Sequence, residues 1–352
     1  MPFKIFIVLV LFVLSSCKKE EAEQPSIPDA LKNGALVLNE GLFQQNSSHL
    51  SWVNFDNNSV NNIFFAEVNN RPLGDTGNDI QIYDGRVFVV MNVSSTIEIL
   101  SATNGKLIKQ VSMLQNGIAK QPRYIIFNQN KAYISCYDGY VDVLNLDNYE
   151  IETRIKVGQN PEQLKVSKNK LYVANSGGLN FPNVDSTVSV IDLSTRTELM
   201  KITVGLNPGS VEVDAQGNVF VVSRGDFNTI SSKLNKIDTD LDQKVNEYYS
   251  GLSGMEKMND FLLISRLENG QNYSVIDVFD PSTSSTSQTA LINLSGIATF
   301  YGMQYIPASN QIACFDANGY TNTGSIQYFS NTGVSIKTFE VGLIPKRLIS
   351  YE

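Results

Sequence analysis

The chain has 352 residues, of which 42% are hydrophobic, 10% aromatic and 18% charged, with 24 glycines and a formal net charge of −8 at pH 7. This composition is typical of a folded β-rich protein, and a chain of this length can form one large closed all-β domain. An acidic chain without a cluster of lysine and arginine is unsuited to binding nucleic acid, so we exclude that class of partner.

The first residues are typical of an export signal. Lys4 precedes an apolar run, 5–14, which is too short to span a bilayer as a helix. The run leads into the tetrapeptide LSSC, which ends at Cys17 and resembles the bacterial lipobox, in which the cysteine is lipidated. We therefore predict a lipoprotein signal peptide over 1–16 and lipidation at Cys17. The alternative is an ordinary signal peptide that is followed by a chance cysteine.

Residues 17–33 are predicted to be a flexible, charged, lipid-anchored tether. Its start, KKEE at 18–21, resembles the signal that places lipoproteins of the Bacteroidetes on the outer surface. The expected location is therefore the outer membrane, with the folded part, 34–352, exposed at the cell surface.

A strand repeats seven times after the tether, at intervals of 39 to 51 residues. The copies are ALVLNEG, RVFVVMN, KAYISCY, KLYVANS, NVFVVSR, DFLLISR and NQIACFD. The last six copies follow another short strand, often opened by proline or glycine, and each copy precedes segments that alternate apolar and polar residues. Each unit is thus a four-stranded meander, with strands A to D from the inside outward. Seven such sheets bury both their faces when they form a β-propeller, so we predict that all-β fold.

The first unit begins directly with its B strand, since only the tether lies before it. The C-terminal segment IPKRLISYE aligns with NPEQLKVSK, which opens an A strand in an internal unit. We expect the C-terminal segment to pair as the innermost strand of the N-terminal blade and to close the ring. Cys136 and Cys314 belong to B strands of nearly opposite blades, so we predict that both are free and buried.

Two segments carry a family resemblance. The segment from KVGQNPEQLKV to LMKITVG is similar to the YVTN-type propeller repeat, with YVAN at 172–175. The N-terminal segments 38–56 and 69–100 resemble a family of Bacteroidetes surface lipoproteins, whose best-understood type is a cobalamin-binding propeller that partners the outer-membrane cobalamin transporter. The resemblance covers about 34–352. It implies capture of cobalamin or a related tetrapyrrole for a TonB-dependent transporter.

Strand direction places the B–C and D–A loops on one face, which we call the loop face. This face collects aromatic, amide and guanidinium side chains, a composition typical of binding surfaces. The predicted ligand contacts are Phe43, Gln45, Asp75, Asn92, Arg123, Tyr137, Asn175, Phe181, Arg224, Phe227, Arg266, Tyr301, Asp316 and Tyr320.

Several of these residues have structural alternatives. Asn92 and Asn175 recur at one repeat position, as expected of turn or capping residues. Arg224 and Arg266 also share a position, where interblade salt bridges compete with ligand contact. Trp52 is expected in the core, and the lone histidine, His49, is a weak metal candidate.

Catalytic motifs are few. The sequence has no nucleophile elbow, phosphate loop or metal-ligand spacing, so we expect no enzyme activity, metal or cofactor. A lactonase-like hydrolase would need a carboxylate cluster at the channel, for which Glu40, Asp75, Glu162 and Asp316 are candidates. A quinoprotein would need repeated tryptophans, and this chain has one. The remaining alternative to ligand capture is a non-catalytic scaffold that holds another envelope protein.

Overall fold

A computed structural model of the chain describes residues 28–268 and 270–351, which form seven four-stranded antiparallel sheets arranged as a propeller. Blade 1 begins with β1 (Gly34–Asn39), β2 (His49–Asn54) and β3 (Ser59–Asn61), followed by α1 (Phe64–Asn69). Blade 2 contains β4 (Gly77–Tyr83), β5 (Arg86–Met91), β6 (Thr96–Ser101) and β7 (Leu107–Ser112). A small hairpin follows, formed by β8 (Leu114–Gln115) and β9 (Ile118–Ala119).

The remaining blades repeat the same order. Blade 3 contains β10 (Pro122–Asn128), β11 (Lys131–Cys136), β12 (Tyr140–Asn145) and β13 (Ile151–Lys156); blade 4 contains β14 (Pro161–Ser167), β15 (Lys170–Asn175), β16 (Thr187–Asp192) and β17 (Thr197–Thr203). Blade 5 contains β18 (Pro208–Val213), β19 (Val219–Ser223), β20 (Lys233–Asp238) and β21 (Gln243–Ser250). Blade 6 contains β22 (Leu252–Met258), β23 (Phe261–Leu267), β24 (Ser274–Asp280) and β25 (Ser285–Asn293). Blade 7 contains β26 (Phe300–Ile306), β27 (Gln311–Asp316), β28 (Ser325–Ser330) and β29 (Ser335–Glu340), and the chain ends with β30 (Pro345–Tyr351).

Alternation along the B strands explains why the blades pack in a ring. In β1, Leu36 and Leu38 face blade 2, whereas Ala35 and Val37 face blade 7, and all four are fully buried. Because successive side chains of a strand point to opposite faces, a strand that is apolar at every position needs a neighbour on both sides. One apolar cluster of this kind lies at each of the seven interfaces between blades.

The predicted ring closure is confirmed. Strand β30 pairs antiparallel with β1, with Tyr351 opposite Gly34 and Leu348 opposite Val37, so blade 1 has the strand order β3-β2-β1-β30. Leu348 packs at the interface with blade 7, and Ile349 packs at the interface with blade 2. The last strand of the chain therefore completes two interblade cores as well as the innermost edge of blade 1.

The core residues lie where the sequence placed them, with one addition. Trp52 is 3% exposed, and the thiols of Cys136 and Cys314 are free and buried in different interblade clusters. The addition is α1, a six-residue helix whose Phe64 and Phe65 fill the core between blades 1 and 2, beyond the three-residue β3. Among the described residues, no helix is long and apolar enough to span a membrane.

Deletion of residues 343–352 is expected to abolish cooperative thermal unfolding, because it removes β30 and exposes the edge of β1. The control is a permuted chain that runs 343–352 and then 33–342, which joins residue 352 directly to Asn33. This order makes β30 and β1 an ordinary hairpin and should restore a cooperative transition. A deletion protein that melts within a few degrees of the full chain would show that β30 does not close the ring.

Candidate functional site

Four aromatic side chains stand exposed on the loop face, and we call them the aromatic rim. Phe43, Phe181, Phe227 and Tyr320 have exposed fractions of 64%, 57%, 74% and 48%. They come from the B–C loops of blades 1, 4, 5 and 7, so they lie on the loop face in two adjacent pairs of blades on opposite sides of the ring. Amide side chains flank them in the same loops, including the predicted contact Gln45. Large apolar side chains that face solvent on loops from several blades are characteristic of a binding surface.

Buried or half-buried aspartates fix these loops in place. Asp75 accepts hydrogen bonds from the backbone N–H groups of Gln44 (3.1 Å) and Asn46 (3.0 Å) on either side of the predicted contact Gln45. Asp226 accepts backbone bonds in its own loop, including one of 2.7 Å from Ile230, and these bonds lower the pKa of its carboxyl to about 2. The loops that carry Phe43 and Phe227 are thus held in place by bonds within the protein itself.

Five of the predicted contact residues make bonds within the protein itself. Both carboxylate oxygens of Asp75 are engaged as described, and Asp316 accepts the backbone N–H groups of Ala298 (2.9 Å) and Thr299 (2.8 Å). The remaining three side chains bond as follows: Asn92 Nδ2 to the carbonyl of Pro122 (3.1 Å), Asn175 Nδ2 to Ser189 Oγ (2.9 Å), and Arg266 Nε to Asp277 Oδ2 (2.7 Å). Asn92 and Asn175 therefore make the local structural bonds that are expected of turn or capping residues.

The other predicted residues belong to a network at the channel mouth, which we call the mouth network. In blades 3 to 5, Glu162 binds Arg123 Nε at 3.1 Å and Arg224 Nη1 at 3.6 Å, and it accepts the hydroxyl of Tyr137 at 2.6 Å. The Arg123 guanidinium also lies 4.5 Å from the centre of the Tyr137 ring, a cation–π contact. Arg224 thus makes an interblade salt bridge, whereas Arg266 pairs within its own blade.

The mouth network continues through blades 2, 1 and 7. The amide of Asn78 donates to the carbonyl of Arg123 and accepts from Lys346 Nζ at 3.1 Å. Lys346 pairs with Glu40 at 2.8 Å, and Glu40 also accepts the Tyr301 hydroxyl at 2.7 Å. A continuous set of bonds therefore links the inner ends of six blades, and among the described residues blade 6 contributes no side chain to it.

Burial and charge act against each other in this network. Burial disfavours the ionised form of Glu162, but Arg123 and Arg224 outweigh it and lower the pKa of the carboxyl. Burial likewise disfavours the ionised form of Glu40, but Lys346 and Tyr301 outweigh it and lower the pKa of this carboxyl. Lys346 is half-buried; desolvation lowers its pKa, but Glu40 outweighs this effect and raises it. All three groups are thus charged at neutral pH, and the mouth network combines ion pairs with hydrogen bonds from neutral side chains.

The carboxylates that a lactonase-like site would use do not converge. Glu40 and Glu162 are paired with cations of different blades, whereas Asp75 and Asp316 bind loop backbone. Across 28–268 and 270–351, no group of three or more histidine, cysteine, aspartate or glutamate side chains is placed to hold a metal ion.

Below the mouth network, a cavity of about 300 Å³ extends into the channel against blades 6 and 7. A second cavity of about 200 Å³ lies beyond it, and Tyr124, Gln163 and Arg347 line both. These inner residues cannot be identified from the sequence, because their strands alternate like any other A strand. Only knowledge of which side of the strand faces the channel would have singled them out.

Comparison with known proteins supports the fold. A family model described as "Domain of unknown function (DUF5074)" matches residues 33–342. Solved structures with the same fold include a quinonprotein alcohol dehydrogenase-like protein from Bacteroides thetaiotaomicron VPI-5482, with 13% identity, a TM-score of 0.66, and coverage of 91% of this chain and 79% of that chain. A search of curated proteins finds no match.

Two further structures are similar at the level of the fold. Kuenenia stuttgartiensis hydrazine synthase has 14% identity and a TM-score of 0.60, with 74% of this chain and 84% of that chain covered. The dihydro-heme d1 dehydrogenase NirN, in complex with DHE, has 11% identity and a TM-score of 0.57, with 94% and 77% covered. At these identities the similarity establishes the propeller fold alone.

Replacement Glu162→Gln should lower the free energy of unfolding at pH 7 by about 3 kcal/mol, because Arg123 and Arg224 lose their shared buried carboxylate. The folded-state pKa of Glu162 is depressed, so its contribution is present above the unfolded value and is lost as pH falls through the folded one. Urea unfolding at pH 7 and pH 3 tests this, and the difference between the variant and the wild type should shrink at pH 3. The control Glu247→Gln removes an exposed ion pair on β21 and should change little. Equal stability of Glu162→Gln and wild type at pH 7 would contradict the prediction.

Proposed function

The chain belongs to the family described as a domain of unknown function (DUF5074), and from its loop face we propose that it captures a broad, flat ligand of the cobalamin or related tetrapyrrole class. The observation that carries this proposal is the aromatic rim, in which four blades each place an exposed ring on the same loop face. Exposed rings on the loops of four blades suit a broad ligand that contacts several loops at once.

The chemistry of the rim suits a corrinoid. Such a ligand presents an apolar ring system edged by amide side chains. Phe181 and Phe227 offer flat apolar contact, and Gln45, Asn180 and Asn228 offer exposed amides that donate and accept hydrogen bonds. Large contact area with a few polar groups around it is the usual composition of a ligand site. Binding of this kind needs no axial histidine on the metal of the ligand.

Order in the loops favours affinity. The loops are fixed by Asp75, Asp226 and Asp316, so binding immobilises few additional groups and the entropic cost is small. Dihydro-heme d1 dehydrogenase NirN has the same fold, and its name indicates that it acts on a haem-type molecule. That similarity is consistent with the proposed ligand class.

The proposed setting is the bacterial cell surface. The sequence resemblance implies a lipid anchor at Cys17 and transfer of the ligand to an outer-membrane TonB-dependent transporter, and Cys17 lies outside the described residues. The hairpin β8–β9 exposes Leu114 (48%) and Ile118 (73%) in the D–A loop before blade 3, also on the loop face. This apolar hairpin favours a protein partner as the second candidate function, in which the loop face is a scaffold without a small molecule.

Calorimetric titration with cyanocobalamin tests the ligand. The double variant Phe181→Ala with Phe227→Ala should weaken binding by about 1 to 3 kcal/mol, the usual loss for truncated interface anchors. Phe261→Ala is the matched control, because Phe261 is a partly exposed phenylalanine at the opposite end of its strand, beside the A–B turn. It should leave binding unchanged.

No heat from the wild type at micromolar concentration would rule out cobalamin and favour the scaffold function. Binding that the double variant leaves intact would move the site away from the aromatic rim.

Cys17→Ser is expected to move the full-length protein from the membrane fraction to the soluble fraction of bacterial cells, because a lipid chain would be its attachment. Fractionation followed by immunoblotting measures this change. Ser16→Ala, which keeps the cysteine, should stay in the membrane fraction. Retention of Cys17→Ser in the membrane would contradict lipidation at this position.

A further inference from the structure

The charged side chains of the channel are paired, with one exception. Beyond the mouth network, Arg347 binds Asp79 at 3.4 Å and Lys165 binds Glu212 at 2.9 Å. Glu256, on the inner strand β22 of blade 6, makes no ion pair with any other described residue, although the backbone N–H of Tyr305 stabilises its carboxylate. Blade 6 is also the blade that the mouth network omits.

Glu256 faces a confined space. It lines the 300 Å³ cavity beside Ser253 and Met255 of its own strand, with Phe300 and Met303 of blade 7 on the adjoining wall. Burial raises the pKa of its carboxyl to about 7; the positive charge of Arg347 opposes this rise and the negative charge of Glu212 adds to it. Lys165 is the remaining charged neighbour, and its effect also opposes the rise.

The opposite charge is in excess at the other end of the same cavity. Arg224 lines the cavity, but it shares its carboxylate, Glu162, with Arg123. Near the mouth, Arg123 and Arg224 therefore share the single carboxylate of Glu162. Deeper in the channel, the carboxylate of Glu256 has no ion-pair partner among the described residues. The cavity therefore has Arg224 near the mouth and Glu256 deeper in the channel, with an apolar wall and the hydroxyls of Ser210, Ser253 and Ser265 also lining it. Lys346 and Arg347 line it as well, but they are paired with Glu40 and Asp79.

We propose that this cavity is a second binding site, for a small zwitterion of the amino-acid class, with its carboxylate at Arg224 and its ammonium at Glu256. The ammonium would provide the cation that Glu256 lacks, and the carboxylate would relieve the excess of positive charge around Glu162. The apolar wall formed by Met255, Phe300 and Met303 suits an aliphatic side chain. A volume of about 300 Å³ lies at the lower end of the range for small-molecule sites. This site is separate from the aromatic rim and does not depend on the corrinoid proposal.

L-leucine is the probe, and each of two analogues keeps only one of its two charged groups. 4-Methylpentanoate lacks the ammonium and 3-methylbutylamine lacks the carboxylate, so each should bind at least about tenfold more weakly than leucine, a loss expected when one charged contact is removed. Isothermal titration of the full chain at pH 8 measures the three affinities. Glu256→Gln should weaken leucine by at least about tenfold and leave 4-methylpentanoate unchanged, and Arg224→Gln should weaken leucine and leave 3-methylbutylamine unchanged.

The pH dependence is a readout that a purely structural role would not produce. Because a proton competes with the ammonium for Glu256, leucine should bind about tenfold more weakly to the wild type at pH 6 than at pH 8. In Glu256→Gln this dependence should disappear. The surface replacements Glu247→Gln and Arg196→Gln are matched controls that lie away from the cavity.

Absence of leucine binding at about 10 mM would overturn the proposal, since an affinity weaker than that supports no specific site. Leucine affinity that is equal in Glu256→Gln and wild type would overturn it as well. Cyanocobalamin titration of the same variants reports separately on the loop face.

Discussion

Ring closure is the constraint on which the rest of this structure depends. Each B strand is apolar on both faces, so a blade is stable only between two neighbours, and the first and last blades have two neighbours only if the ring is complete. The pairing of β30 with β1 supplies that completion, with Leu348 and Ile349 entering the cores on either side of blade 1. The pairing of the first and last strands thus fixes the positions of all seven inner strands.

The same constraint makes the loop face suitable for binding. Because the inner strands are fixed, their ends carry the ion pairs and hydrogen bonds of the mouth network, which run continuously from blade 5 through blades 4, 3, 2 and 1 to blade 7. Loops anchored by buried aspartates surround this set, and their aromatic tips remain in solvent. Polar groups of the loop face are therefore used mainly to hold the scaffold, and the exposed rings are left for contact with a partner.

Much of the fold could be predicted from the sequence, because alternation and proline or glycine at strand starts are local signals. The seven B strands, the closing role of 345–351 and the burial of Trp52 all follow from such signals. The helix α1 could not be predicted, since six residues are too few to show helical periodicity. Its phenylalanines are apolar like any strand residue, and only packing against blade 2 distinguishes them.

The candidate site was less predictable for a similar reason. Sequence position placed Asp75, Asn175 and Asp316 on the correct face, but it does not determine whether a side chain points to solvent or to the backbone of its own loop. Phe43, Phe181 and Phe227 were easier to identify, because a large apolar residue in a polar loop has few structural roles. Glu256 was missed because its distinguishing property is that it has no ion-pair partner among the described residues, and this depends on the three-dimensional arrangement of distant segments.

Hydrogen–deuterium exchange of the full-length protein, measured with and without cyanocobalamin, tests the central claim most directly. The claim is that one ligand contacts loops of several blades at once. The account predicts slower exchange in the B–C loops at 42–47, 177–183, 225–231 and 318–323, with no change in the A–B turns of the opposite face. Protection confined to a single loop, or found on the opposite face, would contradict it.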